Sequence, residues 1–431
     1  MDDFFTDRIK MQVLDFATDK RTIWEQNHQL YSVIFEITPK CNFNCVHCYL
    51  HDHHCSNELS YDEIIEIIDI LYEKEVLFLT FTGGDIFIRK DFLDIYLYAK
   101  KKGFIVELYT NGALINDKII STFAKYPPLL VDISLYGSCE ETYKKVTGVA
   151  GAFDQVMHNI QALLDVGVRV SVKAPVLNLY YSELPQIKEI AEKFGIPFRT
   201  GFEIFPSIDN DDSVQQFSVP LADSLKYEFE EFAKRPRTFG EDYDVELVDL
   251  QKERPLFRCK LGRASCAIDF DGNMCPCMSF RHVGRRLTRE NFEEIWGSFR
   301  QYPKMKASPE YKCLSCKAYD FCDICPAMMQ FVHGDLEYVD EHFCKSAKAR
   351  YEHYIQGVDI DTIIENLKQI LICERLDFYP LIYKSKKGER TMSYEKPQVK
   401  KIEADVSVRN MADDKGECHG GHCVRCIHAF G

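Results

Sequence analysis

The 431-residue chain has no apolar run approaching ~18 residues, which excludes a membrane-spanning helix of ordinary length. Nor is there a basic excess: 53 Lys+Arg face 67 Asp+Glu, a formal net charge of −14. A general nucleic-acid or anionic-membrane binder needs the opposite balance. The N-terminus, MDDFFTDRIK, lacks the basic start and apolar stretch of an export signal, so a cytoplasmic protein is expected. Apolar material is plentiful at 46%, beside 28% charged residues, and this excludes wholesale disorder. The length suggests roughly two to three domains with ample core.

Against that background the 18 cysteines stand out. In a reducing compartment so many thiols do not form a disulfide framework, and metal or cluster ligation is the leading reading. They divide into Cys41, Cys45 and Cys48; nine between Cys259 and Cys344; Cys418, Cys423 and Cys426; and the scattered Cys55, Cys139 and Cys373.

From about residue 31, short β-rich runs alternate with helical periodicity. SVIFEIT (32–38) reads as a strand, and 60–75 as a helix opened by a Ser cap and an acidic first turn. LFLTFTGG, FIVELYTNG, LVDISLYG, RVSVKAPVL and FRTGFEIFP read as five more strands. Helices are expected near 90–103, 116–126, 141–166 and 182–195. Six βα-type units imply an α/β fold with a parallel sheet, either a partial (β/α)6 barrel or a wound sheet, with its ligand site at the strand C-termini. The expected organisation is an N-terminal extension (1–30), the partial barrel (31–206), a polar bridge (207–258) with a helix at 219–234, a small cysteine-rich domain (259–350), a helical extension (351–385) and a charged, Gly-rich tail (386–431). A core too small to hold itself by apolar burial fits metal-cluster support in the cysteine-rich part.

Cys41-x3-Cys45-x2-Cys48 directly follows the first strand. Three closely spaced thiolates suit a [4Fe–4S] cluster with one iron left open to a small molecule. A zinc site is the alternative, with His51, His53, His54 or Cys55 as fourth ligand. With this spacing in this place, residues 31–206 resemble the radical SAM enzymes. The resemblance implies a cluster whose unique iron is chelated by S-adenosylmethionine (SAM), which is reductively cleaved to a 5′-deoxyadenosyl radical. The family's Gly-Gly-Glu motif after the second strand appears as Gly83-Gly84-Asp85. The resemblance implies glycines that let the backbone approach the methionine moiety and an acid that pairs with its ammonium. Asn111, Ser134 and Lys173 resemble residues that reach the ribose or the methionine carboxylate; each also reads as a cap or turn residue. His47 takes the position of an aromatic near the adenine, and Phe205 is a weaker adenine candidate.

The nine later cysteines resemble the SPASM extension, which houses two auxiliary [4Fe–4S] clusters. By that pattern Cys259, Cys266, Cys277 and Cys325 hold the first, and Cys313, Cys316, Cys322 and Cys344 the second. The hairpin DGNMCPC favours Cys277 over Cys275, while two zinc ribbons are the alternative. SPASM enzymes commonly modify peptides, so the resemblance implies peptide maturation of the kind found in ribosomal-peptide biosynthesis, above all thioether formation. Carbon–carbon crosslinking, oxidation of a small molecule, and a non-enzymatic iron–sulfur or zinc scaffold are the other readings. Formylglycine chemistry is demoted because Met278, not Asp, follows Cys277. Only about 30 residues precede the first strand, short for a peptide-recognition domain, so a separate recognition protein is one expected partner. An electron donor such as flavodoxin or ferredoxin is another. The tail, with Cys418, Cys423 and Cys426, reads as a peptide-precursor-like segment and a candidate substrate in cis. No general base stands out; Glu203 and Asp269 are positional guesses.

Overall fold

The computed structural model describes residues 23–50, 58–234, 255–259 and 261–377. Six parallel strands, β1 (Ser32–Glu36), β2 (Phe78–Thr82), β3 (Ile105–Thr110), β4 (Leu130–Ser134), β5 (Val170–Pro175) and β6 (Phe198–Gly201), lie side by side in chain order. Helices α1 (Tyr61–Glu73), α2 (Phe92–Lys102), α3 (Asp117–Lys125), α4 (Glu140–Thr147), α5 (Ala152–Asp165) and α6 (Leu184–Phe194) occupy the crossovers. This is the expected α/β partial barrel. Successive strand residues alternate faces. Val33, Phe35, Leu79, Phe81, Val106 and Leu108 therefore enter the main apolar core, while Glu36, Thr80, Glu107 and Asp132 occupy the opposite face and are buried as well.

Local signals fix the helix ends. Ser60 caps α1 in a full capping box with Glu63, and Gly103 ends α2 in the left-handed region at φ 95°. The helix expected over 141–166 is two helices. Gly148 (φ 75°) closes α4 and Gly151 (φ 77°) precedes α5, conformations that favour glycine and interrupt a continuous hydrophobic periodicity.

Strand signals fade after residue 259, yet the sheet continues there. β7 (Ser265–Ile268) pairs parallel with β1, and β8 (Asn273–Cys275) and β9 (Arg285–Arg286) follow antiparallel. The main core likewise crosses into this segment, joining Phe257, Phe280, Trp296 and Tyr302 to Val33 and Phe35. The segment's first half thus shares the barrel's core instead of depending on clusters alone. Helices α7 (Leu221–Lys234), α8 (Phe292–Phe299), α9 (Pro326–His333), α10 (Glu341–Tyr354) and α11 (Ile360–Asp377) complete the described chain. Leu225 and Phe229 of α7 pack on Ile363 and Ile364 of α11. Arg350 of α10 ties Glu228 and Asp323 together, each at 2.7 Å. Among the described residues no helix is long and apolar enough to cross a membrane.

Candidate functional site

The loops leaving the C-terminal ends of β1 to β6 surround an open cavity. Cys41, Cys45, Cys48 and His47 line it from the loop after β1, with Gly83 and Gly84 after β2. Asn111, Ser134 and Lys173 contribute from β3, β4 and β5, and Phe205 from the segment after β6.

The Cys41 Sγ accepts the Phe43 amide at 3.4 Å, and the Asn111 Nδ2 approaches it at 3.6 Å. Burial raises the Cys41 thiol to about 12, with Asp85 adding to the effect. Burial raises Cys48 to about 11 and Cys45 well above an ordinary thiol, and each of the three lies in electrostatic reach of another. Thiols so placed ionise only with a cation beside them, as in metal binding. Among the described residues no three His, Cys, Asp or Glu side chains converge tightly enough for a single metal ion. Three half-buried thiols spread around one mouth fit a cluster with a small ligand beside it. His51, His53, His54 and Cys55 lie outside the described residues.

The glycine pair has a partner the sequence did not reveal. A Cβ on Gly83 would meet the Thr38 carbonyl oxygen at 2.2 Å, and one on Gly84 would meet the Lys40 and Pro39 oxygens at 2.3 and 2.5 Å. The close approach is therefore between this turn and the loop that carries Cys41. The Gly84 amide donates to the Thr38 carbonyl, and the Asp85 amide to the Lys40 carbonyl, both at 2.9 Å.

Asp85 departs from expectation. Its side chain is fully buried and does not line the cavity, so it does not stand where an ammonium in the cavity would meet it. It caps the short helix Ile86–Ile88 instead, accepting the Phe87 amide at 3.0 Å on Oδ1. Its Oδ2 accepts the Thr110 hydroxyl at 2.6 Å and the Asn111 amide at 2.9 Å. Asp85 positions Asn111, whose Nδ2 in turn donates to Asn42 Oδ1 at 2.8 Å.

The His47 ring lies 5.4 Å from that of Tyr136, and its buried Nδ1 has no hydrogen-bond partner among the described residues. Burial lowers this imidazole to about 4, so it is neutral. Lys173 is buried, 3.9 Å from Asp132 and 4.3 Å above the Tyr109 ring. Among the described residues no carboxylate lines the cavity. Tyr49, Tyr109 and Tyr136 do, and sequence reasoning missed them. The Tyr49 hydroxyl donates to buried Glu36 at 2.6 Å, and Arg281 pairs with the same carboxylate at 3.2 Å. Glu36 thereby joins the Cys48 loop to the hairpin that carries Cys277.

Farther along, Cys277 lies in electrostatic reach of Cys259, Cys325 and Cys275. Cys344 lies in reach of Cys313 and Cys316, and Cys322 of Cys313 and Cys344. Cys275 is opposite Ala267 in the hairpin and approaches its carbonyl at 3.5 Å, so Cys266, one residue earlier, is on the other face of β7. Cys139 is exposed at the start of α4. Asp269 is used by its own turn, accepting the Asn273 amide at 2.8 Å and the Asp271 amide at 3.0 Å. Burial raises Glu203, with Asp323 adding and Arg350 opposing, and it does not line the cavity. The tail cysteines Cys418, Cys423 and Cys426 lie outside the described residues.

Residues 35–192 match the Radical SAM superfamily. The chain is 25% identical over 384 residues to the Fe-coproporphyrin III synthase of Methanosarcina barkeri, spanning 80% of this chain and 93% of that protein. It is 28% identical over 302 residues to the mycofactocin maturase MftC of Mycobacterium ulcerans, spanning 67% and 80%. The crystal structure of Streptococcus suis SuiB bound to precursor peptide SuiA shares the fold, with a TM-score of 0.56 at 15% identity over 79% of this chain and 88% of that one. With three cysteines, a glycine turn and strand-end polar groups gathered on one cavity of a partial barrel, residues 35–192 form a radical SAM superfamily domain, and the chain is an enzyme that carries it.

Proposed function

We propose that the enzyme oxidatively modifies a peptide, most specifically by forming a thioether between a cysteine sulfur and a carbon, with net loss of two hydrogen atoms. One observation carries the reading: the Cys41, Cys45 and Cys48 thiols share a single cavity with Gly83, Gly84, Asn111, Ser134 and Lys173. Cys41, Cys45 and Cys48 would hold a [4Fe–4S] cluster, and Gly83, Gly84, Asn111, Ser134, Lys173 and His47 would hold SAM beside it. Bound there, the pair supplies a carbon-centred radical that takes a hydrogen atom from the substrate. The chain orients the reactants and excludes water, chiefly through Phe43, Tyr49, Tyr136 and Phe205. Asp85 acts indirectly by holding Thr110 and Asn111.

Cys259, Cys266, Cys277 and Cys325 hold one auxiliary [4Fe–4S] cluster, and Cys313, Cys316, Cys322 and Cys344 a second. Auxiliary clusters suit an oxidation, because the product radical must hand on an electron. Support for a peptide comes from the maturase MftC and from the SuiB fold with its precursor peptide. The peptide is a separate precursor, met directly or through a recognition protein, or the chain's own tail, and a cytoplasmic flavodoxin or ferredoxin supplies electrons. A small-molecule oxidation is the second reading, favoured by the synthase relative that spans 80% of the chain.

The test is anaerobic reconstitution followed by turnover with SAM and reductant. The expected result is about twelve irons per chain, from three four-iron clusters, together with 5′-deoxyadenosine and loss of two hydrogens on a cysteine-bearing peptide. Turnover of SAM with every supplied peptide and the tail unmodified, but a porphyrin or other small molecule oxidised, overturns the peptide reading.

A further inference from the structure

The turn that carries Cys322 is held by two arginines. Tyr319–Phe321 is a single three-residue helical turn, and a turn so short leaves most of its carbonyls without a helical partner. Four consecutive main-chain carbonyls, from Tyr319 to Cys322, accept hydrogen bonds from guanidinium groups. Arg258 donates to those of Tyr319, of Asp320 at 3.1 Å and of Cys322 at 2.9 Å. Arg350 donates to that of Phe321 at 3.2 Å and to the Asp323 carboxylate at 2.7 Å. The Arg258 guanidinium also lies 4.6 Å from the centre of the Tyr319 ring, whose hydroxyl donates to the Pro255 carbonyl at 3.0 Å.

Hydrogen bonds from a charged donor are roughly twice as strong as neutral ones. The guanidinium is a planar fork whose donors are already splayed, whereas a Lys ammonium in its place is a point charge that cannot span three carbonyls. Pinned at four successive carbonyls, the turn sets the direction of Cys322, whose sulfur accepts the Ile324 amide and lies in electrostatic reach of Cys313 and Cys344. Arg258 directly precedes Cys259. One side chain therefore runs from beside a ligand of the proposed first auxiliary cluster to the turn bearing a ligand of the second. Arg350 is the less discriminating probe of this hold, because it also pairs with Glu228 at 2.7 Å. Arg258 is exposed and grips uncharged carbonyls, so replacing it perturbs less.

We propose that Arg258 is a positioning residue for the second auxiliary cluster: its fork fixes the Cys322 turn so that this thiolate joins those of Cys313, Cys316 and Cys344, and it ties the turn to the Cys259 segment. The role rests on the two four-cysteine ligand sets of the proposed function.

The experiment compares the reconstituted full chain with Arg258→Lys, which keeps the charge and loses the fork, and Arg258→Gln, which loses both. In the parent, the second auxiliary cluster is identified as the [4Fe–4S] signal, by electron paramagnetic resonance and Mössbauer spectroscopy, that Cys344→Ala abolishes. The expected result is that both variants release the iron of this cluster to a chelator about tenfold or more faster than the parent, the usual scale for losing a residue that orients a metal ligand. The spectral shape of this signal alone changes, while the SAM-sensitive signal and the other auxiliary signal persist. Release at the parent's rate in Arg258→Lys overturns the proposal, since charge without the fork would then suffice. Loss of all three clusters together in either variant also overturns it, because Arg258 would then hold the fold at large and not this turn. A parent in which Cys344→Ala abolishes no signal overturns the ligand sets and this role with them.

Discussion

Replacing Asp85 by Ala separates two roles for this acid, holding the site together or touching the ligand. The carboxylate is fully buried and accepts three hydrogen bonds, from the Phe87 amide, the Thr110 hydroxyl and the Asn111 amide. Alanine leaves the hydroxyl free to rotate to another acceptor but strands the buried Asn111 N–H and the part-buried Phe87 N–H. A buried orphan costs roughly 1–3 kcal/mol and a part-buried one less, so the variant loses roughly 2–4 kcal/mol of stability. That is a large share of the roughly 5–15 kcal/mol that holds a typical domain. In a thermal melt of the cluster-loaded protein it corresponds to a fall on the order of 10 °C. Hydrogen exchange at the Asn111 amide, read by mass spectrometry of the covering peptide, accelerates in parallel. Asp85→Glu does not restore an ordinary site, because an added methylene in a filled position costs roughly 1–3 kcal/mol. A variant that melts with the parent, retains Asn111 protection and loses only SAM affinity would place Asp85 on the ligand and overturn its structural role.

Gly84→Ala drives a Cβ against the Lys40 and Pro39 carbonyl oxygens, so the chain should lose iron from the first cluster while retaining auxiliary iron, as measured by iron assay and Mössbauer spectroscopy. Arg281→Met strands the buried Glu36 carboxylate and costs roughly 3–5 kcal/mol in denaturant unfolding; adding Glu36→Gln recovers part of the loss. Burial raises the Glu107 carboxyl to about 7 in the folded chain, so the native state holds a proton that the unfolded chain releases at lower pH. Its contribution to stability is therefore full below the unfolded value and is lost as pH rises towards 7. Relative to Glu107→Gln, the parent should lose stability across that window, and equal melting profiles would contradict the assignment.

Much of the framework was legible because parallel strands buried on both faces are short and distinct. SVIFE, FLTFT, IVELYT and VSVKAP lie within the runs read as strands, and Ser60 and Glu63 marked the start of their helix. Asn111, Ser134 and Lys173 were marked by a polar residue at the end of an apolar run, and all three line the cavity. What escaped depends on partners distant in sequence. Nothing in SCAI shows that it pairs with β1, because four residues carry little periodic signal. The steric reason for Gly83 and Gly84 is the carbonyls of Thr38, Pro39 and Lys40, which only the fold brings to them. Asp85 was aimed the wrong way because its cap geometry turns the carboxylate toward Thr110. The buried charges of the strand interior did leave a signal that went unused. Glu107 and Asp132 share strand parity with Tyr109 and Ser134, which face the cavity.

In the proposed function, Cys41, Cys45 and Cys48 hold the cluster that engages SAM in this cavity. Electron paramagnetic resonance of the dithionite-reduced holoenzyme, with and without SAM, tests it directly. The expected result is a [4Fe–4S]+ signal that SAM perturbs, and that disappears when these three cysteines are replaced by Ala while auxiliary signals remain. A spectrum unchanged by SAM, or the same SAM-sensitive signal in the triple variant, contradicts it.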